Sequence, residues 1–487
     1  MNHQGIKEKA FFGLLWKASE TMLVYGAQAI IFLVLARLLM PADFGLVALV
    51  GSFIAISNVL VNSGLGTALI QSKNVNQTDY STVLFFSFFV SCFLYFLIYM
   101  SAPFVAKFYE ESVLVDVLRF YSISIILAAI NGVQKSVLLR ELKFRVIFFV
   151  SSVSVIISGA ISIGMALSGF GVYALVCNSI LQGLFSTVAF FIVMKWIPKV
   201  SFSAVRLKEL LKFSYKILLA NLIEIGNTSI FPLLIGKSFS IEALGYYNNG
   251  RQLPNLAASS VNASINSVVF PVFSRYQSDK VKLKSIVRKS ITVSNFVILP
   301  LMGLLAAIAE PLVVLILTEK WLPSVPYIQL FCIVFGLHHQ HNICFQAISA
   351  IGRSDVFLKY QTIKIAIGIA FLAITLPFGI VAIVAGQIIT AVCSIAISVI
   401  PSRVWLNYSV YEQLVDFFPY ILIVTVMFLG MHVVNSLEYG ILMTIIAQLI
   451  IGGVLYIALG SIFRLSGLMY ISETIKMYVG GRLKFGK

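Results

Sequence analysis

The chain has 487 residues, of which 59% are apolar and only 11% are charged. A soluble globular domain carries roughly 25% charged residues, so this composition excludes that class. The net charge of +16 does not require nucleic acid, because no loop is long enough to hold a recognition module. The five cysteines lie in apolar segments without metal-ligand spacing, which predicts no metal site. We therefore expect no nucleic-acid partner, no metal and no cofactor.

Apolar stretches of about 20 residues recur along the chain, and each is long enough to cross a hydrocarbon core of ~30 Å. Of the 35 Lys and Arg residues, 28 fall in every second gap between these stretches and 4 in the other gaps. Basic loops stay on the cytoplasmic side, where they meet anionic membrane lipids. The pattern predicts a multi-pass protein of the bacterial inner membrane with both termini cytoplasmic. The three remaining basic residues, Arg119, Lys216 and Arg251, lie inside apolar segments.

The predicted elements are all transmembrane helices, which makes the chain an all-α polytopic membrane protein. Fourteen spans are predicted, at residues 13–37, 44–70, 81–104, 114–136, 145–167, 171–194, 211–236, 244–272, 288–309, 325–349, 357–377, 380–400, 416–435 and 440–463. Between the eleventh and twelfth spans, Pro377 and Gly379 predict either a hairpin turn or a kink. Residues 467–487 alternate apolar and basic side chains, which predicts a short interfacial amphipathic helix.

A faint internal repeat relates the two halves of the chain. Residue n matches residue n + 200, so that span one aligns with span seven and Gly45 with Gly245. A period of six spans relates two six-helix bundles by a pseudo-twofold axis along the membrane normal. We therefore predict one bundle over 1–200 and a second over 201–402. Two extra helices and a cytoplasmic amphipathic tail fill 403–487. Two bundles with a cavity between them are typical of a transporter.

Span eight carries the most polar surface of any predicted span. Its polar residues alternate at spacings of four and three, which places them on one helical face: Asn248, Gln252, Asn255, Ser259, Asn262 and Asn266. Arg251 adjoins this face. The stripe favours a hydrated substrate cavity, and the alternative is hydrogen bonding between helices. We predict that the stripe lines this cavity. If the three intramembrane cations face it as well, they give it a positive field that suits an anionic substrate, such as a phosphate or pyrophosphate. The alternative for Lys216 is a position close to the water interface, where its charge needs no partner.

Two carboxylates are candidates for coupling transport to Na⁺ or H⁺. Glu224 lies in the middle of span seven, where a charge is costly and marks either a partner or an ion route. The partner would be Lys216 or Arg251. Glu20 in span one is the second candidate, and the alternative for it is an interfacial pair with Lys17.

Other polar residues in the spans have a structural alternative. Arg119 either lines the cavity or reaches the outer headgroups and pairs with Asp116. Span ten contains His338, His339 and His341, which fit a metal site, a proton relay or simple packing. Because no second cluster of ligands accompanies them, cavity lining or packing is the expectation.

Four short stretches resemble Wzx-type polysaccharide flippases. They are Leu-Ala-Arg-Leu-Leu-Met-Pro-Ala-Asp-Phe-Gly at 35–45, Gly-Leu-Gly-Thr-Ala-Leu-Ile-Gln at 64–71, Leu-Leu-Arg-Glu-Leu-Lys-Phe at 138–144 and Ala-Ile-Gly-Arg at 350–353. The chain is most similar to the colanic-acid-exporter branch. That branch belongs to the superfamily that also contains multidrug antiporters and the lipid II flippase.

The resemblance implies a function and a substrate. Two bundles would alternate access and move an undecaprenyl-pyrophosphate-linked oligosaccharide from the inner to the outer leaflet, for lipopolysaccharide or exopolysaccharide synthesis. Polysaccharide polymerase machinery would be a partner on the product side. A head with two negative charges moves outward with roughly 4–5 kcal/mol per 100 mV of inside-negative potential, if both charges cross uncompensated.

Two other functions stay open. A cation-coupled multidrug antiporter of the same superfamily would need an acidic cavity, whereas the intramembrane charges here lean basic. A polytopic glycan polymerase or ligase would need a large outer loop with catalytic side chains, and every outer gap is short. No Walker A motif is present, so we expect a transporter without enzymatic activity.

Overall fold

A computed structural model of the chain describes residues 3–62, 64–72, 75–194, 198–434 and 440–470, and statements on side chains concern those it also describes within these ranges. The described α-helices are, in chain order, α1 His3–Leu38, α2 Pro41–Asn62, α3 Leu65–Gln71, α4 Gln77–Tyr109, α5 Leu114–Tyr121, α6 Ile123–Arg140, α7 Phe144–Leu167, α8 Val172–Met194, α9 Ala204–Ser238, α10 Ile241–Arg275, α11 Lys280–Ala307, α12 Ala309–Leu317, α13 Val325–Ala350, α14 Ser354–Thr375, α15 Ile380–Leu406, α16 Val410–Val434 and α17 Ile441–Ile462. This confirms the all-α fold.

Thirteen helical segments within these ranges are long and apolar enough to cross a membrane. The predicted eighth span corresponds to α10, a helix of 35 residues. The predicted hairpin between spans eleven and twelve is present, because α14 and α15 pack side by side. Gly379 makes that turn with a φ of 98°, a backbone conformation that side chains with a Cβ avoid. The predicted interfacial helix lies almost entirely outside the described residues.

The chain packs as two units, residues 1–248 and 249–487. In the first unit α2 lies against α4, α6, α8 and α9, while α7 packs on α1 and α8. In the second unit α13 lies against α11 and α15, and α16 packs between α11 and α17. The first unit extends past residue 200 because α9 packs on α2, α3 and α4. The repeat-based division at 200/201 and 402/403 stays a prediction.

Within the first unit, two glycines let α2 and the start of α10 cross with their backbones in contact. A Cβ on Gly45 would clash with the carbonyl oxygen of Ile241, and a Cβ on Gly245 would clash with that of Pro41. The two contacts are reciprocal, because Pro41 and Ile241 match each other in the n + 200 register, as the two glycines do. Reciprocal contacts between matching residues are what a twofold relation produces. The crossing therefore carries the pseudo-twofold symmetry that the repeat predicted.

An ion pair holds α9 to α4 in the first unit. Arg206 donates two hydrogen bonds to the Asp79 carboxylate, from Nε to Oδ1 at 2.9 Å and from Nη2 to Oδ2 at 3.1 Å. Asp79 also caps its own helix, since its carboxylate accepts the Asn76 N–H at 3.0 Å. Such a bidentate pair fixes both orientation and distance.

The second unit contains a similar pair with the charges exchanged. Arg288 on α11 donates two hydrogen bonds to Asp416 on α16, from Nε to Oδ2 at 2.7 Å and from Nη2 to Oδ1 at 2.9 Å. The partners are 128 residues apart, against 127 for Asp79 and Arg206. Tyr408 donates to Asp416 at 2.9 Å, and burial, followed by that negative charge, raises the pKa of the Tyr408 hydroxyl, so it stays a donor. Both units thus use a bidentate Arg–Asp pair to attach a long helix, α9 to α4 in the first unit and α16 to α11 in the second.

We predict that Gly45→Ala destabilises the protein. The added methyl group must push α2 away from the Ile241 carbonyl, whereas Gly51 of the same helix has open space around it. Gly51→Ala is therefore the matched control, and it should be neutral or gain up to about 1 kcal/mol from better helix propensity. Thermal unfolding of the purified protein in detergent measures both. An unchanged midpoint for Gly45→Ala would show that the crossing is not tight.

Candidate functional site

Helix α9 is long enough to cross the membrane, and its exposed surface carries polar residues among apolar ones. Lys216, Asn221 and Glu224 are all exposed in the first unit, while the opposite side of α9 packs on α2 and α4. Within the described part of that unit Glu224 forms no ion pair, so the predicted pair with Lys216 is not formed. A bare carboxylate is too costly in hydrocarbon, so the Glu224 side chain must meet water or a polar ligand.

Glu20, the second coupling candidate, already has a partner. Its carboxylate pairs with Lys17 at 2.5 Å, and only 8% of the residue is exposed. This arrangement matches the interfacial alternative from the sequence. Of the two carboxylates, Glu224 has the geometry that leaves an oxygen free for a cation.

Helix α10 presents the predicted polar stripe. Its continuous helical backbone puts the residues on one face, with Asn255 and Ser259 exposed and Gln252 and Asn262 half-buried. The Ser259 hydroxyl donates to the Leu256 carbonyl at 3.2 Å. The amides of Gln252, Asn255 and Asn262 make no hydrogen bond to the described residues of the second unit. Interhelical hydrogen bonding inside that unit therefore does not explain the stripe.

The polar stripe of α10 begins at Asn248 and ends at Asn266. Asn248 is half-buried and is the last residue of the first unit. The side chain of Asn266 lies outside the described residues. The sequence reasoning missed Asn249, which is 1% exposed and whose amide nitrogen and oxygen lack a hydrogen-bond partner among the described residues.

The hairpin of α13 and α14 carries a further basic residue, Lys364, which is one of the 28 basic residues assigned to the cytoplasmic gaps. His341 bonds to Gln361 across the hairpin, and Nδ1 of the same ring lies 3.0 Å from the Ser394 carbonyl oxygen. In an antiparallel hairpin, moving three residues along each helix places His338 opposite Lys364. Both Lys364 and Arg251 are near enough for their charges to act on His338. Arg251 and Lys364 thus both lie near His338 in the second unit.

His339 points elsewhere, so the three histidines do not form a chain. Its ring is fully buried, and Nε2 lies 2.6 Å from Oδ1 of Asn295. The Asn295 amide in turn donates to the Asp416 carbonyl at 2.9 Å. His339 therefore packs α13 against α11 and α16, in agreement with the structural alternative.

Arg119 and Lys216 lie at opposite ends of the first unit. Lys237, near the end of α9, pairs with Glu110 beside the start of α5 at 3.0 Å. Arg119 belongs to α5, whereas Lys216 precedes Lys237 by six turns of helix, about 30 Å. These two cations are therefore too far apart to bind the same ligand group, and their place in one common cavity stays a prediction.

A family model described as a polysaccharide biosynthesis protein matches residues 34–326. The chain belongs to this family of polysaccharide biosynthesis proteins. Family relatives include the teichuronic acid biosynthesis protein TuaB of Bacillus subtilis, 24% identical over 73% of this chain and 74% of its own length. The lipopolysaccharide biosynthesis protein WzxC of Escherichia coli is 22% identical over 74% and 73%. The succinoglycan biosynthesis transport protein ExoT of Rhizobium meliloti is 22% identical over 72% and 71%.

Solved structures share the fold of this polysaccharide biosynthesis protein. The lipid II flippase MurJ in an inward closed conformation superposes with a TM-score of 0.74 at 16% identity, over 92% of this chain and 98% of MurJ. An inward-facing multidrug resistance transporter of the MATE family and MOP superfamily gives 0.61 at 14% identity, over 82% and 99%. The chain is thus a multi-pass membrane protein that shares the fold of these two structures.

We predict that the α10 stripe is reached by water. Single cysteines at 252, 255 and 262 should react with a membrane-impermeant maleimide, because these side chains make no hydrogen bond to the described residues of their unit. A cysteine at Ala258, which is 2% exposed on the same helix, is the control and should stay unlabelled. Labelling is measured by the mass shift of the purified protein, in a background without the five natural cysteines. Uniform protection of all positions would mean that the stripe is packed.

Proposed function

We propose that the protein is a flippase that moves an undecaprenyl-pyrophosphate-linked oligosaccharide from the inner to the outer leaflet by alternating access. The observation that carries the proposal is the placement of two basic residues, Arg251 and Lys364, near His338 in the second unit. Family membership supplies the pathway, polysaccharide biosynthesis, and the fold is shared with a lipid II flippase. The product would enter lipopolysaccharide or exopolysaccharide synthesis and pass to polymerase machinery.

The chemistry of the basic group fits a pyrophosphate better than a cation. Arg and Lys side chains donate to phosphate oxygens without needing a proton from elsewhere, and a neutral imidazole can add a further N–H. The amides along α10 offer both donors and acceptors, which suits sugar hydroxyls. A multidrug antiporter for cationic compounds would be repelled by Arg251 and Lys364, so that alternative is disfavoured. Transport without catalysis is also favoured, since these groups bind and do not form a nucleophile with its base.

The orientation follows from the positive-inside distribution. With 28 basic residues in one set of gaps, the termini lie in the cytoplasm and the membrane is the bacterial inner membrane. An inside-negative potential then favours outward movement of the pyrophosphate. Entry of Na⁺ or H⁺ at Glu224 would add to this driving force.

Arg251→Ala is predicted to abolish surface glycan. Losing the guanidinium removes a charge-assisted contact to phosphate, worth about 1.5–3 kcal/mol, or roughly 10- to 150-fold in binding. Arg251→Lys keeps the charge and should retain part of the export. Arg275→Ala, at the exposed cytoplasmic end of the same helix, is the matched control. Surface glycan is quantified in cells that lack the native gene, alongside the amount of each variant in the membrane. Wild-type export by Arg251→Ala would remove this residue from the mechanism.

Glu224→Gln is predicted to remove the ion dependence of transport. The amide keeps the shape but cannot bind Na⁺ as a carboxylate does, nor carry a proton. Export should fall and should no longer respond to external sodium or pH, whereas Glu224→Asp should keep the response. The measurement is glycan export over a series of sodium concentrations and pH values. If Glu224→Gln responds like the wild type, the coupling site lies elsewhere.

A further inference from the structure

Arg119 lies in a cavity that the flippase mechanism above does not use. The cavity has a volume of about 390 Å³ and lies wholly within the first unit. Its lining residues come from the outer parts of α4, α5 and α6 and from the start of α8: Tyr95, Asp116, Arg119, Phe120, Ile123 and Tyr173. Three aromatic rings, one cation and one carboxylate thus meet in one place.

Arg119 is held rigidly in this cavity. Its guanidinium carbon lies 4.1 Å from the centre of the Tyr99 ring, and its Nε–H donates to the Tyr99 carbonyl at 3.4 Å. When a guanidinium lies over an aromatic ring, its terminal N–H groups point outward in the plane of the guanidinium and can still donate hydrogen bonds. Arg119 therefore has both a fixed position and donors to offer.

Asp116 decides what kind of ligand the cavity suits. It lies one helical turn before Arg119 on α5, and it is exposed. An exposed carboxylate cannot face hydrocarbon, so the mouth of the cavity opens to water at the outer membrane surface. The same carboxylate repels a phosphate, but it accepts hydrogen bonds from hydroxyl groups. A neutral, hydroxyl-rich ligand satisfies both charged residues, whereas a lipid phosphate satisfies only Arg119.

The aromatic rings provide the remaining surface. Phe120 and Tyr173 lie edge to face, with ring centres 6.4 Å apart. Tyr95 lines the same cavity from α4 and is half-buried. Such rings present flat apolar faces to the C–H side of a sugar, while a few polar groups fix its orientation.

We propose that this cavity is a saccharide-binding site on the outer side of the first unit. It takes a sugar ring of the translocated glycan, with Arg119 and Asp116 bonded to its hydroxyls and the aromatic side chains against its apolar face. The role in export rests on the proposed flippase function, but the binding of a free sugar does not.

The test uses the full-length protein in nanodiscs and four soluble probes, the methyl glycosides of glucose, galactose, N-acetylglucosamine and glucuronic acid. Saturation-transfer NMR reports which probe contacts the protein. We expect a signal from at least one probe, reduced at least several-fold in Tyr95→Leu and in Arg119→Gln. Phe96→Leu is the matched control: Phe96 is the next residue on α4, but it lines a different depression and should leave the signal unchanged.

Three outcomes overturn the proposal. One is the absence of signal from all four probes with a correctly folded protein, and another is a signal that Tyr95→Leu leaves intact. The third is loss of the signal when glycerol phosphate competes at equal concentration, which would make the cavity a lipid-headgroup site. The glycan-export assay of Arg251→Ala is independent of all three, so failure of the saccharide site and failure of the flippase function are distinguishable.

Discussion

The cost of placing a charge in hydrocarbon governs this structure more than any single contact. Every ionisable side chain on a membrane-crossing helix must meet protein, water or ligand. Asp79 and Asp416 each form an ion pair with an arginine of another helix, and these pairs hold the helices together. Glu224 and Lys216 remain exposed on α9, and Arg251 forms no ion pair among the described residues of its unit. The first two residues hold helices together, and the last three lie where we propose that a polar substrate or ion passes.

The two units solve the same structural problem with exchanged charges. In each unit a bidentate pair attaches one long helix to another, α9 to α4 in the first unit and α16 to α11 in the second. Because only the pairing matters and not its direction, the repeat can diverge at these positions and keep its geometry. The glycine crossing of α2 and α10 diverges less, since no other residue allows the carbonyl contacts at Gly45 and Gly245.

The all-α fold and most membrane-spanning helices could be predicted from the sequence, because the length of an apolar span obeys a strong physical rule. The face of α10 was also predictable, because a continuous helix fixes which residues share a side. Partnerships were not predictable: Asp79 pairs across 127 residues, and Lys364 lies opposite His338 only because a hairpin aligns them. The spacing of Gln361 and Lys364, matching that of His341 and His338, was the signal that could have found the latter.

Direct observation of translocation tests the central claim most sharply. The purified protein is placed in liposomes that contain a fluorescent undecaprenyl-pyrophosphate-linked oligosaccharide in both leaflets, and a sugar-modifying enzyme is added outside. We predict that the whole labelled pool becomes accessible, because the protein brings the inner-leaflet half outward, whereas liposomes with Arg251→Ala stop at about half, the share of one leaflet. A wild-type protein that leaves the inner-leaflet pool as protected as empty liposomes do would contradict the account.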